Sequence, residues 1–123
     1  MPPRRILLID DELPIRSFMQ DFFGDRGFDV EVAGDGAEGV EKFEKGGGFD
    51  LVISDMLMPK MIGLEVLRRI KAKKPDQRVI LMTGAKEESM KKKAVELGCH
   101  LYITKPVQLG ELEARVAECF PSA

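Results

Sequence analysis

The chain has no tryptophan, one tyrosine (Tyr102), one histidine (His100) and only two cysteines, Cys99 and Cys119, in 123 residues. Two cysteines without CxxC spacing cannot form a disulfide framework, and they fit a reducing cytoplasm. Each reads as an inert packed thiol rather than a redox or metal group. His100 has no partner in sequence for a metal role. No apolar run approaches the roughly 20 residues of a membrane span. The run from Ile6 to Ile9 is also too short for the core of a signal peptide. An excess charge of one sign is missing as well: 19 basic and 21 acidic residues give a net charge of −2. That balance offers no electrostatic reason to bind nucleic acid or an anionic membrane. The composition is 44% hydrophobic and 33% charged, without low-complexity tracts, which is that of a globular chain able to bury a core.

What is present is one alternation, repeated five times. Short apolar runs suited to strands occur at Ile6–Ile9, Val30–Ala33, Leu51–Ile53, Val79–Met82 and Leu101–Ile103. A segment of helical period follows each. Ile15, Phe18, Met19, Phe22 and Phe23 make the first stripe, with Pro14 suited to the first helical turn. Ala37, Val40 and Phe43 make the second, and Gly63, Val66, Leu67 and Ile70 the third. Met90, Ala94 and Leu97 form the fourth; Leu109, Leu112 and Val116 form the fifth. Gly24, Gly27, Gly46–Gly48, Pro75 and Gly98 punctuate the joins. Strands alternating with helices predict right-handed crossovers and a parallel sheet covered on both faces, an α/β sandwich. The expected organisation is one domain over residues 1–123, with no second domain after Phe120. Periodicity does not give the strand order.

In an open parallel sheet, ligands gather beyond the carboxyl ends of the strands. The first strand is followed by Asp10, Asp11 and Glu12, and the third by Ser54 and Asp55. The fourth is followed by Thr83, Gly84 and Ala85, and the fifth by Thr104, Lys105 and Pro106. Two carboxylates about 4 Å apart repel by roughly 4 kcal/mol at an effective dielectric near 20. Asp10, Asp11 and Asp55 on one rim must therefore hold protons or bind a hard cation. So few protein ligands suit Mg²⁺, which keeps several waters and shares its shell with phosphate oxygens. A lysine and a threonine hydroxyl on the other side suit a phosphoryl group.

The pieces LLIDDE, VISDMLMP, LMTGA and YITKP, in this order and at strand ends, resemble the receiver domain of two-component response regulators. The likeness runs from Arg4 to about Cys119. It implies the flavodoxin-like strand order 2-1-3-4-5. It also implies that Asp55 is the phosphoacceptor, a carboxylate nucleophile forming an acyl phosphate. Asp11, Asp55 and the Leu57 backbone carbonyl would touch Mg²⁺, with Asp10 acting through a bound water. Lys105 would pair with Asp55 and then with phosphoryl oxygens. Thr83 and the N–H groups of Met56 and Gly84 would hold those oxygens. Pro106 would be cis, fixing the angle of Lys105. Thr83 and Tyr102 would form the switch, the hydroxyl moving to the phosphoryl group and the ring turning inward.

Such a domain takes its phosphoryl group from a sensor histidine kinase or phosphotransfer protein. It would present the region 86–119 to downstream effectors, as a cytoplasmic monomer or weak dimer. It would be a stand-alone regulator or the receiver piece of a longer protein, and a switch rather than an enzyme on outside substrates. A Mg²⁺-dependent aspartyl-phosphate phosphohydrolase is the enzymatic alternative, but its DxD motif would need an acid where Leu57 stands. An unphosphorylated docking module is another. Taken singly, Asp10, Asp11 and Asp55 could cap helices or turns and Lys105 could be a solvated amine. Glu12 reads as a first-turn helix residue. Gly46–Gly48 reads as a flexible loop and Lys91–Lys93 as a solvated face.

Three departures from the family pattern stand out. Ile62 occupies the position of an acid in MPKMIG, Cys99-His100 precedes the last strand, and Leu57 and Ala85 lack polar side chains at the positions that tune dephosphorylation.

Overall fold

The short apolar runs become the strands of a five-stranded parallel sheet in the order 2-1-3-4-5. The computed structural model describes residues 3–84 and 88–120. Its elements are β1 (Arg5–Ile9), α1 (Leu13–Gly24), β2 (Asp29–Ala33), α2 (Gly36–Lys45) and β3 (Leu51–Asp55), then α3 (Gly63–Lys73), β4 (Val79–Thr83), α4 (Glu88–Glu96), β5 (Leu101–Thr104) and α5 (Leu109–Cys119). Side chains alternate across the sheet and build two cores. Leu7, Ile9, Val52 and Leu81 meet Val40 of α2, Val66, Leu67 and Ile70 of α3 and Ala94 of α4. Ile6, Leu8, Ile53, Ile80 and Ile103 meet Met19 and Phe23 of α1 and Leu112 and Val116 of α5. β1, β3 and β4 have two neighbours each, whereas β2 and β5 are edges. The fully buried stripe on α3 alone contributes about 1.5–3 kcal/mol per large side chain.

Two helical stripes differ from the periodic expectation. On α1, Met19 and Phe23 are buried, but Ile15 and Phe18 face outward, with Phe18 57% exposed. The apolar face of that helix is wider than the surface the sheet offers it. On α2, Ala37 is exposed and Gly39 takes the inward place. A Cβ on Gly39 would stand 2.4 Å from Ile9 Cδ1, so any larger residue there would force the buried Ile9 side chain to shift or the helix to move off β1. Glu12 is the residue before α1, extended at φ −93° and ψ 106°, and so lies outside the first turn. Pro14 occupies the start of the helix as expected.

Gly46–Gly48 is bound rather than loose. Arg5 Nη1 donates to the carbonyls of Gly46 and Gly48, each at 2.6 Å, and the guanidinium lies over the Phe49 ring. The turn belongs to the amino edge of the sheet, as β3 begins just after it.

Candidate functional site

Strand register brings the chemistry-bearing residues together. Ile9 pairs with Ser54, which sets Asp10 level with Asp55 one residue further on. Asp55 pairs with Met82, and Thr83 pairs with Thr104, so Thr83 and Lys105 rise beside the same rim. Carboxylate oxygens of Asp10, Asp11 and Asp55 all lie within 4.8 Å of one another. Asp10 and Asp55 are buried and Asp11 is exposed.

Each acid has a distinct setting. Asp10 Oδ1 accepts from the Glu12 N–H at 2.8 Å, while its Oδ2 is buried with no partner among the described residues. Burial pushes the Asp10 carboxyl above its ordinary pKa; the Glu12 N–H opposes this and the Asp55 charge adds to it. Asp55 Oδ2 accepts from Lys105 Nζ at 2.7 Å. Its pKa is also raised, because burial outweighs the Lys105 hydrogen bond and charge. Burial lowers Lys105, but the Asp55 contact more than offsets it, so the ammonium is held above its usual range. Both partners of the ion pair are thus displaced upward, the acid by desolvation and the base by the acid. One lysine does not neutralise three carboxylates.

Thr83 is fully buried and its Oγ1 has no partner among the described residues. A buried hydroxyl and a buried carboxylate oxygen, both without partners, are costly unless something polar meets them. The donor set of hard carboxylate oxygens fits a hard divalent cation, and Asp10 Oδ2 is the buried oxygen left to meet such an ion or a water bound to it. His100 is exposed in the loop before β5, and no cluster of metal-ligating side chains among the described residues includes it.

The surrounding backbone is tightly made. Gly63 N–H donates to the Met56 carbonyl at 2.6 Å, tying the start of α3 to the end of β3. The Lys105 N–H donates to the Thr83 carbonyl at 2.6 Å, and the Lys105–Pro106 peptide is cis, as the resemblance implies. The Met56 N–H donates to the Met82 carbonyl at 2.9 Å, so a phosphoryl oxygen would have to share it. Leu57 is 49% exposed at the rim and offers no acid beside Asp55. Ala85, and the first part of the 86–119 region, lie outside the described residues. Ile62 is the N-cap of α3 and gives it no side-chain hydrogen bond. The missing acid of MPKMIG is thus a missing helix cap.

Sequence reasoning missed Arg16 and Lys60. Arg16 Nη1 reaches from α1 to the Asp10 carbonyl at 2.7 Å, passing over Gly34. Its place one turn along an amphipathic helix carries no signal of that reach. Lys60 has φ +71°, unusual without glycine, and its Nζ lies 3.7 Å from Asp35. Beside the acids a groove of about 500 Å³ opens, lined by Pro14, Ile15 and Phe18 of α1 and by Pro106, Val107 and Leu109, with Asp10 and Lys105 also in its wall. The two thiols are chemically quiet: burial pushes Cys99 up to about 11 and raises Cys119 as well.

The family model for the response regulator receiver domain matches residues 6–117. The chain belongs to this family. As a receiver domain it has curated relatives of two kinds. The transcriptional regulatory protein DltR of Streptococcus agalactiae is 36% identical over 91% of this chain, which spans only 50% of that protein. Sporulation initiation phosphotransferase F of Bacillus subtilis is 32% identical over 98% of the chain and 97% of its own length. Among solved structures, the response regulator TrrA of Thermotoga maritima, in complex with Mg²⁺ and BeF, superposes with a TM-score of 0.84. It is 33% identical, and the match covers 95% of this receiver and 99% of that chain. The sheet order of this receiver is the flavodoxin-like one that the resemblance implied.

Proposed function

We propose that this receiver, as one domain over residues 1–123, takes up a phosphoryl group on Asp55 from a phosphohistidine of a sensor kinase or phosphotransfer protein. The observation that carries this is the convergence on one rim of the Lys105–Asp55 pair at 2.7 Å with two unpartnered buried oxygens, Asp10 Oδ2 and Thr83 Oγ1. An Asp55 carboxylate oxygen attacks phosphorus in line. An O–P bond forms, the P–N bond to the donor imidazole breaks, and the imidazole leaves with the bonding pair. Asp55 must be ionised to attack, and the Lys105 ammonium at 2.7 Å favours that form, opposing though not outweighing burial. After transfer the ammonium follows the phosphoryl oxygens, where Thr83 Oγ1 and the Gly84 N–H also donate. Met56 N–H joins them as a shared donor.

Asp11, Asp55, the Leu57 carbonyl and, through water, Asp10 would hold Mg²⁺, which when bound neutralises the charge gathered by the acids and the incoming phosphoryl group. Arg16 fixes the Asp10 backbone beneath that site. Only the chain's own phosphorylation and dephosphorylation are catalysed, since Leu57 supplies no general acid for outside substrates.

The donor docks on the exposed apolar groove of α1. That groove opens directly onto Asp10 and Lys105, and a helix with an apolar stripe would cover Ile15 and Phe18 while presenting its imidazole to Asp55. Phosphorylation then shifts Thr83 and Tyr102 and changes how the 86–119 region meets an effector. The protein acts in the cytoplasm, as a monomer or weak dimer without direct contact to nucleic acid or membrane. No helix among the described residues is long and apolar enough to cross one.

Incubation with Mg²⁺ and acetyl phosphate, followed by intact mass measurement, tests the assignment. One phosphoryl group should add to the wild type and none to Asp55→Asn. Omission of Mg²⁺, or Asp11→Ala, should suppress labelling. An Asp55→Asn protein that labels normally would overturn it.

A further inference from the structure

Lys91 of α4 reaches over the edge of the sheet onto β5. Its Nζ lies 5.2 Å from the centroid of the Tyr102 ring and donates to Thr104 Oγ1 at 3.2 Å. Tyr102 and Thr104 are two residues apart on a strand and so share a face. One ammonium therefore grips two successive outward side chains of β5. The same strand leads directly into Lys105, and Thr104 pairs in register with Thr83. The grip is thus one strand away from the buried Thr83 hydroxyl and one residue away from the lysine on Asp55. Tyr102 is 42% exposed, so its ring stands outward where the ammonium can reach it.

A cation over a ring face is attracted by the ring quadrupole, and that attraction ends when the ring turns away. A contact made in only one of two packings biases the equilibrium toward that packing. We propose that Lys91 is a positioning residue of the switch: its ammonium holds Tyr102 outward and thereby favours the unphosphorylated state. This rests on the Thr83–Tyr102 switch described above and adds the restraint that sets its threshold. Free energy spent releasing the ring is withheld from phosphoryl binding, so removing the restraint tightens binding at Asp55, although the two contacts that make the grip are to Tyr102 and Thr104.

Beryllofluoride with Mg²⁺ serves as the probe, its affinity read by fluorine NMR and the Tyr102 environment by ring NMR shifts. Lys91→Met keeps the aliphatic stem and removes the charge. It should bind the mimic about two- to fivefold more tightly, the size expected of an exposed cation–π contact, and show Tyr102 already shifted toward its bound environment in the free protein. Lys91→Arg should behave as wild type, because a guanidinium also sits over aromatic faces. In a Tyr102→Leu background, Lys91→Met should have no effect on affinity. Equal affinities and unchanged ring shifts in Lys91→Met would overturn the proposal, and so would a Lys91→Arg protein that behaves like Lys91→Met. Failure of the wild type to bind the mimic at all would instead fault the phosphoacceptor reading, independently of Lys91.

Discussion

Gly63 lies so near the end of β3 that a Cβ on it would stand 2.7 Å from the Asp55 carbonyl oxygen and 2.8 Å from Met56 Cα. Both obstacles are backbone, which cannot swing aside as a side chain can. Gly63→Ala must therefore push the start of α3 away from the phosphoacceptor strand. A loss of roughly 1–3 kcal/mol is expected from such overpacking. Denaturant titration should show it, and acetyl phosphate should label the variant more slowly than the wild type. Unchanged stability would mean that the helix can back away freely.

Ile62 offers the opposite opportunity. It is the N-cap of α3, 38% exposed, and its side chain accepts no hydrogen bond from the helix. Ile62→Asp supplies an acceptor and a negative charge at the positive end of the helix. The gain should be about 0.5–2 kcal/mol, seen as a higher urea midpoint with an unchanged slope. Labelling of Asp55 should persist, since position 62 is not among the clustered acids.

Asp35 and Glu38 give α2 a pH-dependent cap. Asp35 Oδ1 accepts from the Glu38 N–H at 2.8 Å, and Glu38 Oε1 accepts from the Gly34 N–H at 2.6 Å. Those backbone bonds are the main reason that both carboxyls lie below their ordinary pKa. An acid depressed in the folded state stabilises it fully above its unfolded pKa and loses that contribution as pH falls through the folded value. Asp35→Ala should accordingly cost about 1 kcal/mol at pH 7 and markedly less below the ordinary carboxylate range. Thermal unfolding across that range would show the two curves converging toward acid pH. Parallel curves would contradict the ionic part of the cap.

Leu57 sits at the rim with a side chain that cannot orient water. Leu57→Asn adds a hydrogen-bonding group there at little cost in packing, because the site is half exposed. Decay of the acyl phosphate should accelerate several-fold in the variant, followed by intact mass after the donor is removed. An unchanged decay rate would show that another feature governs the lifetime.

Much of this was legible in the sequence because parallel strands buried on both faces announce themselves as unbroken apolar runs, and acids at their ends have few structural excuses. The third stripe, Gly63 to Ile70, is buried throughout because α3 has sheet beneath it and neighbours on both sides. The first stripe failed at Ile15 and Phe18 because periodicity reports that a helix has an apolar face, and not how much of that face the protein itself covers. Gly39 escaped notice because a missing side chain has no hydropathy. Arg16 and Lys60 make side-chain contacts that appear only when segments apart in sequence meet. Asp10, Asp55, Thr83 and Lys105 converge because register, which periodicity leaves open, brings their strand ends level.

The placement of β3 between two neighbours and of β5 at the edge divides the molecule by ease of opening. Asp55 ends a strand laddered on both sides, whereas Tyr102 rides one that can part from a single neighbour. Amide protons should report that gradient, with those of β3 exchanging only through near-global unfolding and those of β5 through smaller, more frequent openings. Hydrogen exchange by NMR would then find the phosphoacceptor housed in the slowest segment and the message carried by a faster one, so that the domain can be read many times while the strand bearing Asp55 stays closed.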